Sequence, residues 1–237
     1  RDVNFGFSNE IARMCDEIGI SAKEVISAGK LGYPRTNLPM PGPVGGPCLG
    51  KDGYILAESM EPYGLFPEIC LAARRLNERQ PDEIAKKLSK LIKSIKGFPK
   101  TPEITIAGIA FKGQPETDDT RGTMAIPILE ALRKVFANAS FRGYDFIVHK
   151  QEIEALDLVY CPTLNDAFTG AGIVVIANNH PIFGQMPIGK LAESMSCPGI
   201  IYDFWNNFST NDVDLPNGRS YISLGSFGVG VLPQLTE

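Results

Sequence analysis

Ile104-Thr-Ile-Ala-Gly-Ile-Ala-Phe111 is apolar at every position except Thr105. A short run without polar alternation reads as a strand covered on both faces. Downstream of it, strand and helix alternate. Thr123–Phe136 carries the helical apolar period, Ser140–Tyr144 is a second strand ending before Asp145, and Val159–Tyr160 is a short third. Leu164–Phe168 is a helical turn and Ile173–Ala177 is again uniformly apolar. Lys190–Met195 is helical, Ile200–Tyr202 is a strand, and Tyr221–Leu224 adds an edge. This alternation predicts an α/β doubly wound parallel sheet of about five or six strands. Such sheets bind ligands at their strand C-termini, so the loops to watch follow Phe111, Tyr144, Ala177 and Asp203.

Upstream, Gly97-Phe-Pro-Lys-Thr-Pro102 breaks helix and resets the period. It divides an all-helical part, 1–97, from the α/β part, 98–237. Apolar residues recur at helical spacing from Val3 to Ile18, with Gly19 as a C-cap. Ser21 and Glu24 make a capping box for a short second helix. Helical pattern returns over 52–60, 63–77 and 81–96, with Gln80-Pro81 separating the last two because proline suits a first turn. Between the second and third helices lies Gly32–Gly50, with five Pro and five Gly in 19 residues, which is neither helix nor interior strand. Loops of that length in compact domains are mostly functional or disordered. The helices at 1–18 and 63–96 also carry more apolar surface than one domain covers: Phe5, Phe7, Ile11, Leu65, Phe66, Ile69 and Leu71. That surplus predicts a homodimer.

The chain has 237 residues, 43% of them hydrophobic, which excludes disorder, fibrous repeats and coiled coils. No apolar run approaches the about 20 residues of a membrane span. A net charge of -4 without a basic stripe argues against nucleic acid as a partner. Five scattered Cys, no CxxC and two His argue against a metal site and for reduced, cytoplasmic thiols. Four of them, Cys15, Cys70, Cys161 and Cys197, read as inert core thiols. The start at Arg1, without Met, reads as a piece of a longer chain.

Cys48 stands apart, in Gly42-Pro-Val-Gly-Gly-Pro-Cys-Leu-Gly-Lys-Asp52. The glycines place it at the start of the following helix, where the helix N-terminus and Lys51 favour a thiolate. Asp52 follows one helical turn later. A thiol so activated suits covalent attack on a carbonyl. A Gly/Pro loop holding an incidental Cys fits the same residues, and no His lies near in sequence. A second cluster, Phe111-Lys-Gly-Gln-Pro-Glu-Thr-Asp-Asp-Thr-Arg121, occupies a phosphate- or ribose-binding position. Lys112 and Arg121 are its informative members, since Asp118 and Asp119 are ordinary helix N-terminal charges. A third comprises Asn178-Asn-His180 and Asp203-Phe-Trp-Asn206, at two strand ends. Each is by itself an ordinary loop, though Trp205 offers a stacking surface. No GxGxxG fingerprint occurs. A phosphoacceptor receiver, suggested by Asp118-Asp119, fails because the third strand runs into Cys161-Pro162 instead of ending on an Asp.

These pieces, with Asn9-Glu-Ile-Ala12, Asn77-Glu-Arg-Gln-Pro81, Gly108-Ile-Ala-Phe-Lys112, Thr117–Arg121 and Tyr221–Gly225, resemble the UDP-glucose/GDP-mannose dehydrogenase family. The resemblance runs through nearly the whole chain. It implies a central helical dimerisation domain over 1–97 and a Rossmann-like UDP-binding domain over 98–237, with the NAD-binding domain upstream. It further implies NAD-dependent oxidation of a nucleotide-sugar C6 alcohol to a carboxylate, through a thiohemiacetal and thioester on Cys48, with Asp52 helping to activate water. By the same resemblance Cys48, Leu49, Gly50 and Lys51 approach NAD, and Arg121 touches it from a neighbouring subunit. Arg35 and residues Pro39, Met40, Pro41, Gly42, Pro43, Val44 and Gly45 hold the UDP-sugar, with Phe111 and Lys112. The chain alone is then inactive. Where glucose-type members carry Asp-Gly-Arg, this chain has Asp203-Phe-Trp, so the sugar stays open. A non-catalytic nucleotide-sugar-binding or regulatory module is the alternative.

Overall fold

The computed structural model describes residues 1–33, 35–208 and 213–226. Helix α1 spans Asp2–Ile18 and ends on Gly19, whose φ of 72° lets its N–H reach the Cys15 carbonyl. Helix α2 is Ala22–Lys30, its N-cap Ser21 accepting the Glu24 N–H. Helix α3, Leu49–Met60, begins immediately after Cys48, three residues ahead of the expected start. Helix α4 runs unbroken over Glu68–Ser94 with Pro81 inside it. The expected break at Gln80-Pro81 is therefore wrong. A proline removes one helical hydrogen bond, but buried residues continue on both sides, from Leu71 and Ala73 to Ile84 and Leu88. They seat the helix on its neighbours throughout, and tertiary contacts override the local preference. The crossing with α1 is close, since a Cβ on Gly6 would lie 2.7 Å from that of Ala73.

The second part supplies six strands: β1 Glu103–Ala107, β2 Ser140–Tyr144, β3 Val159–Tyr160, β4 Ile173–Ile176, β5 Gly199–Asp203 and β6 Arg219–Ser223. All pair in parallel, in the order β3-β2-β1-β4-β5-β6. This is the expected doubly wound sheet. Helices α5 (Ala125–Val135), α6 (Lys150–Glu154), α7 (Leu164–Phe168) and α8 (Ile188–Glu193) occupy the crossovers. Strand β1 stops at Ala107 rather than Phe111, because Gly108 takes a φ of 97° and turns the chain out of the sheet.

Alternate side chains of the strands go to opposite faces. Ile104, Ile106, Ile173, Val175 and Ile200 join one apolar cluster, which also takes in Ala12, Cys15, Ile84, Ala85 and Leu88 of the helical part. Ala107, Val174, Ile176 and Ile201 face a second cluster with Phe168 and Phe183. The helical part thus shares one core with the sheet. It reaches the carboxyl edge too, where the Ala22 N–H donates to Gly225. No described helix is long and apolar enough to cross a membrane.

Candidate active site

The Gly/Pro loop leading to Cys48 is held from two sides. From α1, the Asn9 amide binds Gly42 reciprocally: Gly42 N–H to Oδ1 at 2.9 Å, and Nδ2 to the Gly42 carbonyl at 3.0 Å. Nδ2 also reaches Asn77 Oδ1 of α4 at 2.9 Å, and Ser8 Oγ donates to the Pro39 carbonyl at 2.7 Å. From the sheet side, the Trp205 ring lies on Gly42, where a Cβ would come within 2.6 Å of it. Gly46 has a φ of 107° and sits against the Phe111 ring, and its N–H donates to the Gly122 carbonyl at 2.7 Å. Only a residue without a side chain fits between those partners.

Cys48 emerges from this clamp as the N-cap of α3, exposed. It borders a cleft of about 320 Å³ with Val44 and Leu49 on one side and Phe111, Lys112, Gln114, Asn179 and Trp205 on the other. Phe111 follows β1 and Asn179 follows β4, the adjacent strands at which the sheet order reverses. The cleft therefore lies at the topological switch point, where doubly wound sheets bind their ligands. Lys112 Nζ stands 5.2 Å from the centre of the Phe111 ring.

Of the residues selected from sequence, Pro43, Val44, Gly45, Cys48, Leu49, Phe111 and Lys112 line this cleft. Arg35, Pro39, Met40, Pro41, Gly42, Gly50, Lys51, Asp52 and Arg121 do not. Pro41 and Gly42 are buried in the clamp, and Arg35 is exposed. Lys51 and Asp52 pair with each other at 2.8 Å, each side chain 60% exposed. Arg121 forks onto Asp119 at 2.7 and 3.0 Å, holding that carboxyl down at about 2.

The third cluster separates into distinct roles. Asn179 and Trp205 reach the cleft, while Trp205 Nε1 donates to the Ala177 carbonyl at 3.0 Å. Asp203 is fully buried and accepts from Trp205 N–H, from Asn207 and from the Tyr221 hydroxyl. Burial pushes its carboxyl up, and it serves as a structural node. Asp145, after β2, accepts four backbone N–H groups, from Ile109, Ala110, Ile147 and Val148. His180 pairs with Glu116 at 3.2 Å and stacks on Phe146, and His149 holds the N-cap position of α6 without a side-chain hydrogen bond to it. Neither histidine lines the cleft. Cys15 and Cys161 are buried, Cys70 is half-buried, and Cys197 is exposed, contrary to its expected core position.

Sequence reasoning passed over Gln114 in the cleft and, behind the loop, Arg74. Arg74 is 2% exposed and stands among the largest fully buried side chains. An arginine on the apolar stripe of α4, between Leu71 and Asn77, was the available signal.

Residues 1–79 match the central domain of the UDP-glucose/GDP-mannose dehydrogenase family, and residues 105–210 match its UDP-binding domain. The chain belongs to this family. It is 32% identical over 197 residues to the UDP-N-acetyl-D-mannosamine dehydrogenase of Pyrococcus horikoshii, covering 82% of this chain and 43% of that protein. The structure of the UDP-D-ManNAc dehydrogenase from Pyrococcus horikoshii superposes with a TM-score of 0.77 at 29% identity, over 97% of this chain and 50% of that one. The UDP-N-acetyl-mannosamine dehydrogenase Cap5O of S. aureus superposes with a TM-score of 0.74 at 26% identity, over 96% and 49%. The chain thus spans about half the length of these relatives.

Proposed function

We propose that this chain is the thiol-bearing, UDP-sugar-binding half of an NAD-dependent 6-dehydrogenase whose substrate is an N-acetylated UDP-hexosamine. One observation carries the reading. A cleft at the sheet's switch point brings Cys48 of the helical part together with Phe111 and Lys112 of the sheet part. The activity named for the relatives supports the sugar class.

In this reading the C6 alcohol is oxidised to an aldehyde at the mouth of the cleft. The Cys48 sulfur adds to the aldehyde carbon and gives a thiohemiacetal, whose oxidation leaves a thioester. Water attacks the thioester carbon, the C–S bond breaks, and carboxylate and free thiol result. Covalent attachment keeps the intermediate in place between the two oxidations. Asp52, one turn beyond Cys48, is assigned the activation of that water. Lys112 supplies positive charge for the diphosphate, and residues 39–45, with Arg35, hold the UDP-sugar.

The chain's own residues fit only the reactive end of the cofactor. Gly46, where a Cβ would meet Phe111, keeps the floor beside Cys48 free of side chain. Cys48–Lys51 are the residues that would meet the nicotinamide end, and Arg121 would touch NAD from a neighbouring subunit. The remainder of a dinucleotide site is not offered by this sheet, since Asp145, which follows β2 where such sites place a ribose-binding carboxylate, is taken up by backbone amides. Two NAD⁺ molecules, bound in turn, would each take up one hydride.

A homodimer through the helical part belongs to the same reading. Phe7, Leu65, Phe66 and Ile69 are 55–71% exposed, whereas Phe5 and Leu71 are buried within the chain. The test is Cys48→Ser in the enzyme that joins this chain to an NAD-binding half. Loss of uronate formation with UDP binding retained is expected. Unchanged NADH production from UDP-sugars overturns the assignment.

A further inference from the structure

Arg74 is a fully buried cation whose guanidinium lies behind the cysteine loop, on the backbone of two residues that line the cleft. Its Nη2 donates to the Val44 carbonyl at 3.4 Å, and its Nη1 to the Leu49 carbonyl at 3.3 Å. Those carbonyls lie four residues before Cys48 and one after it. Two carboxylates hold the guanidinium: Asp2 at the start of α1, 3.4 Å from Nη1, and Glu78 one turn on in α4, 3.2 Å from Nε. Each continues the network. Asp2 also accepts from Asn77, and Glu78 accepts the Tyr54 hydroxyl of α3 at 2.7 Å.

We infer that Arg74 is a positioning residue, a brace that fixes the Cys48 sulfur by gripping the chain on either side of it. The inference rests on the nucleophile reading of Cys48. A loop of Pro and Gly has few side-chain contacts of its own with which to hold a terminal thiol. Here α1, the loop and α3 all meet one planar group that is itself seated on α4. Arginine suits the task because its rigid planar fork donates to two carbonyls while its delocalised charge pairs with two carboxylates, whereas a lysine ammonium is a point donor. Two successive oxidations at one carbon need the sulfur at attacking distance throughout, and misplacement by about 1 Å costs on the order of 100-fold.

The test uses Arg74→Lys in the enzyme carrying both halves, with three readouts. The first is the iodoacetamide alkylation rate of Cys48 across about pH 6 to 9, read by peptide mass so that exposed Cys197 serves as internal control. The second is the kcat and KM split on the UDP-sugar. The third is aldehyde trapped by semicarbazide. For folded Arg74→Lys we expect a changed Cys48 alkylation profile with Cys197 unaltered. We also expect kcat to fall on the order of 10- to 100-fold with KM within about twofold, and trapped aldehyde to rise. Unchanged alkylation and kcat in the folded variant overturn the brace, as does a loss confined to KM. If Arg74→Lys does not fold, Glu78→Gln decides, since it removes one anchoring charge and leaves both carbonyl contacts. It is expected to move the same readouts in the same direction by about two- to tenfold, and no movement overturns the inference. The alkylation readout does not depend on catalysis. An altered profile alongside an active Cys48→Ser enzyme would retire the nucleophile and keep the brace.

Discussion

Gly46 and Gly53 lie seven residues apart on either side of Cys48, and the structure assigns their alanine variants opposite signs. Gly46 holds a φ of 107°, which L-residues rarely adopt, and a Cβ there would stand 2.9 Å from the Phe111 ring. Holding such a residue in that backbone region costs about 1–3 kcal/mol. Forcing the aromatic ring to yield adds about 1–3 kcal/mol. The ring is not free to move far, because the Phe111 N–H is bound to the Asp119 carbonyl at 3.0 Å. Gly46→Ala should therefore lose about 2–6 kcal/mol. Gly53 sits inside α3 with nothing within 4 Å of where a Cβ would stand. Its alanine variant should gain about 0.5–1 kcal/mol from helix propensity. Urea unfolding followed by the fluorescence of Trp205, the only tryptophan, separates the two. At an ordinary urea slope the midpoints should differ by roughly 1 M or more. Coincident midpoints, or a more stable Gly46→Ala, would refute the claim that Gly46 is locked between Gly122 and Phe111.

Two further outcomes follow from buried groups. Burial pushes the Tyr144 hydroxyl up to about 12, and burial raises Tyr202 and Tyr221 well above the usual tyrosine value. The unfolded chain releases those protons from about pH 10 upward. The stability each neutral hydroxyl contributes is thus full below pH 10 and declines as pH rises towards the folded value. Tyr144→Phe should flatten part of that alkaline decline, read as thermal midpoint against pH, and an unchanged slope counts against it. Asn9→Asp keeps the acceptor for Gly42 N–H but removes the donor that serves both the Gly42 and Asn77 oxygens. It buries a carboxylate facing two acceptors, so a loss of about 3 kcal/mol or more is expected at neutral pH. Part should return on acidification as that carboxyl protonates, and urea midpoints at two pH values measure it.

The sheet was legible because strands covered on both faces write nearly continuous apolar runs, and Ile104–Ala107, broken only by Thr105, and Ile173–Ile176 are such runs. Helix α4 was misread at Pro81 because a local penalty of a few kcal/mol is visible in sequence, while the burial of Ile84, Ala85 and Leu88 that outweighs it is not. The position of Cys48 as an N-cap could be read from the glycines before it. Spacing also put Asp52 one turn away, but spacing does not say which neighbour a carboxylate takes, and Asp52 takes Lys51. Arg74 was passed over for a related reason. A buried cation makes sense only with its partners, and those come from residues 2, 44, 49 and 78.

That dispersion bears on how the site is built. The loop's hydrogen bonds run mostly to the helical part, through Asn9, Ser8 and Arg74. Its tightest steric fits are to the sheet part, Gly45 on the Gly122 carbonyl and Gly42 on Trp205, with Gly46 on Phe111 next. Hydrogen bonds set direction while hard contacts set distance, so neither part alone determines where the sulfur sits. The shared core beneath, running from Ala12 and Leu88 into Ile104 and Ile106, keeps the two halves of the clamp in register. Interiors at crystal-like density transmit displacements rather than absorb them. A change at Trp205 or Phe111, on the sheet side, therefore acts on a thiol that belongs by sequence to the helical part. The cleft is a property of the join, and under the proposed function that is where the sulfur meets a ligand held at the carboxyl edge of the sheet.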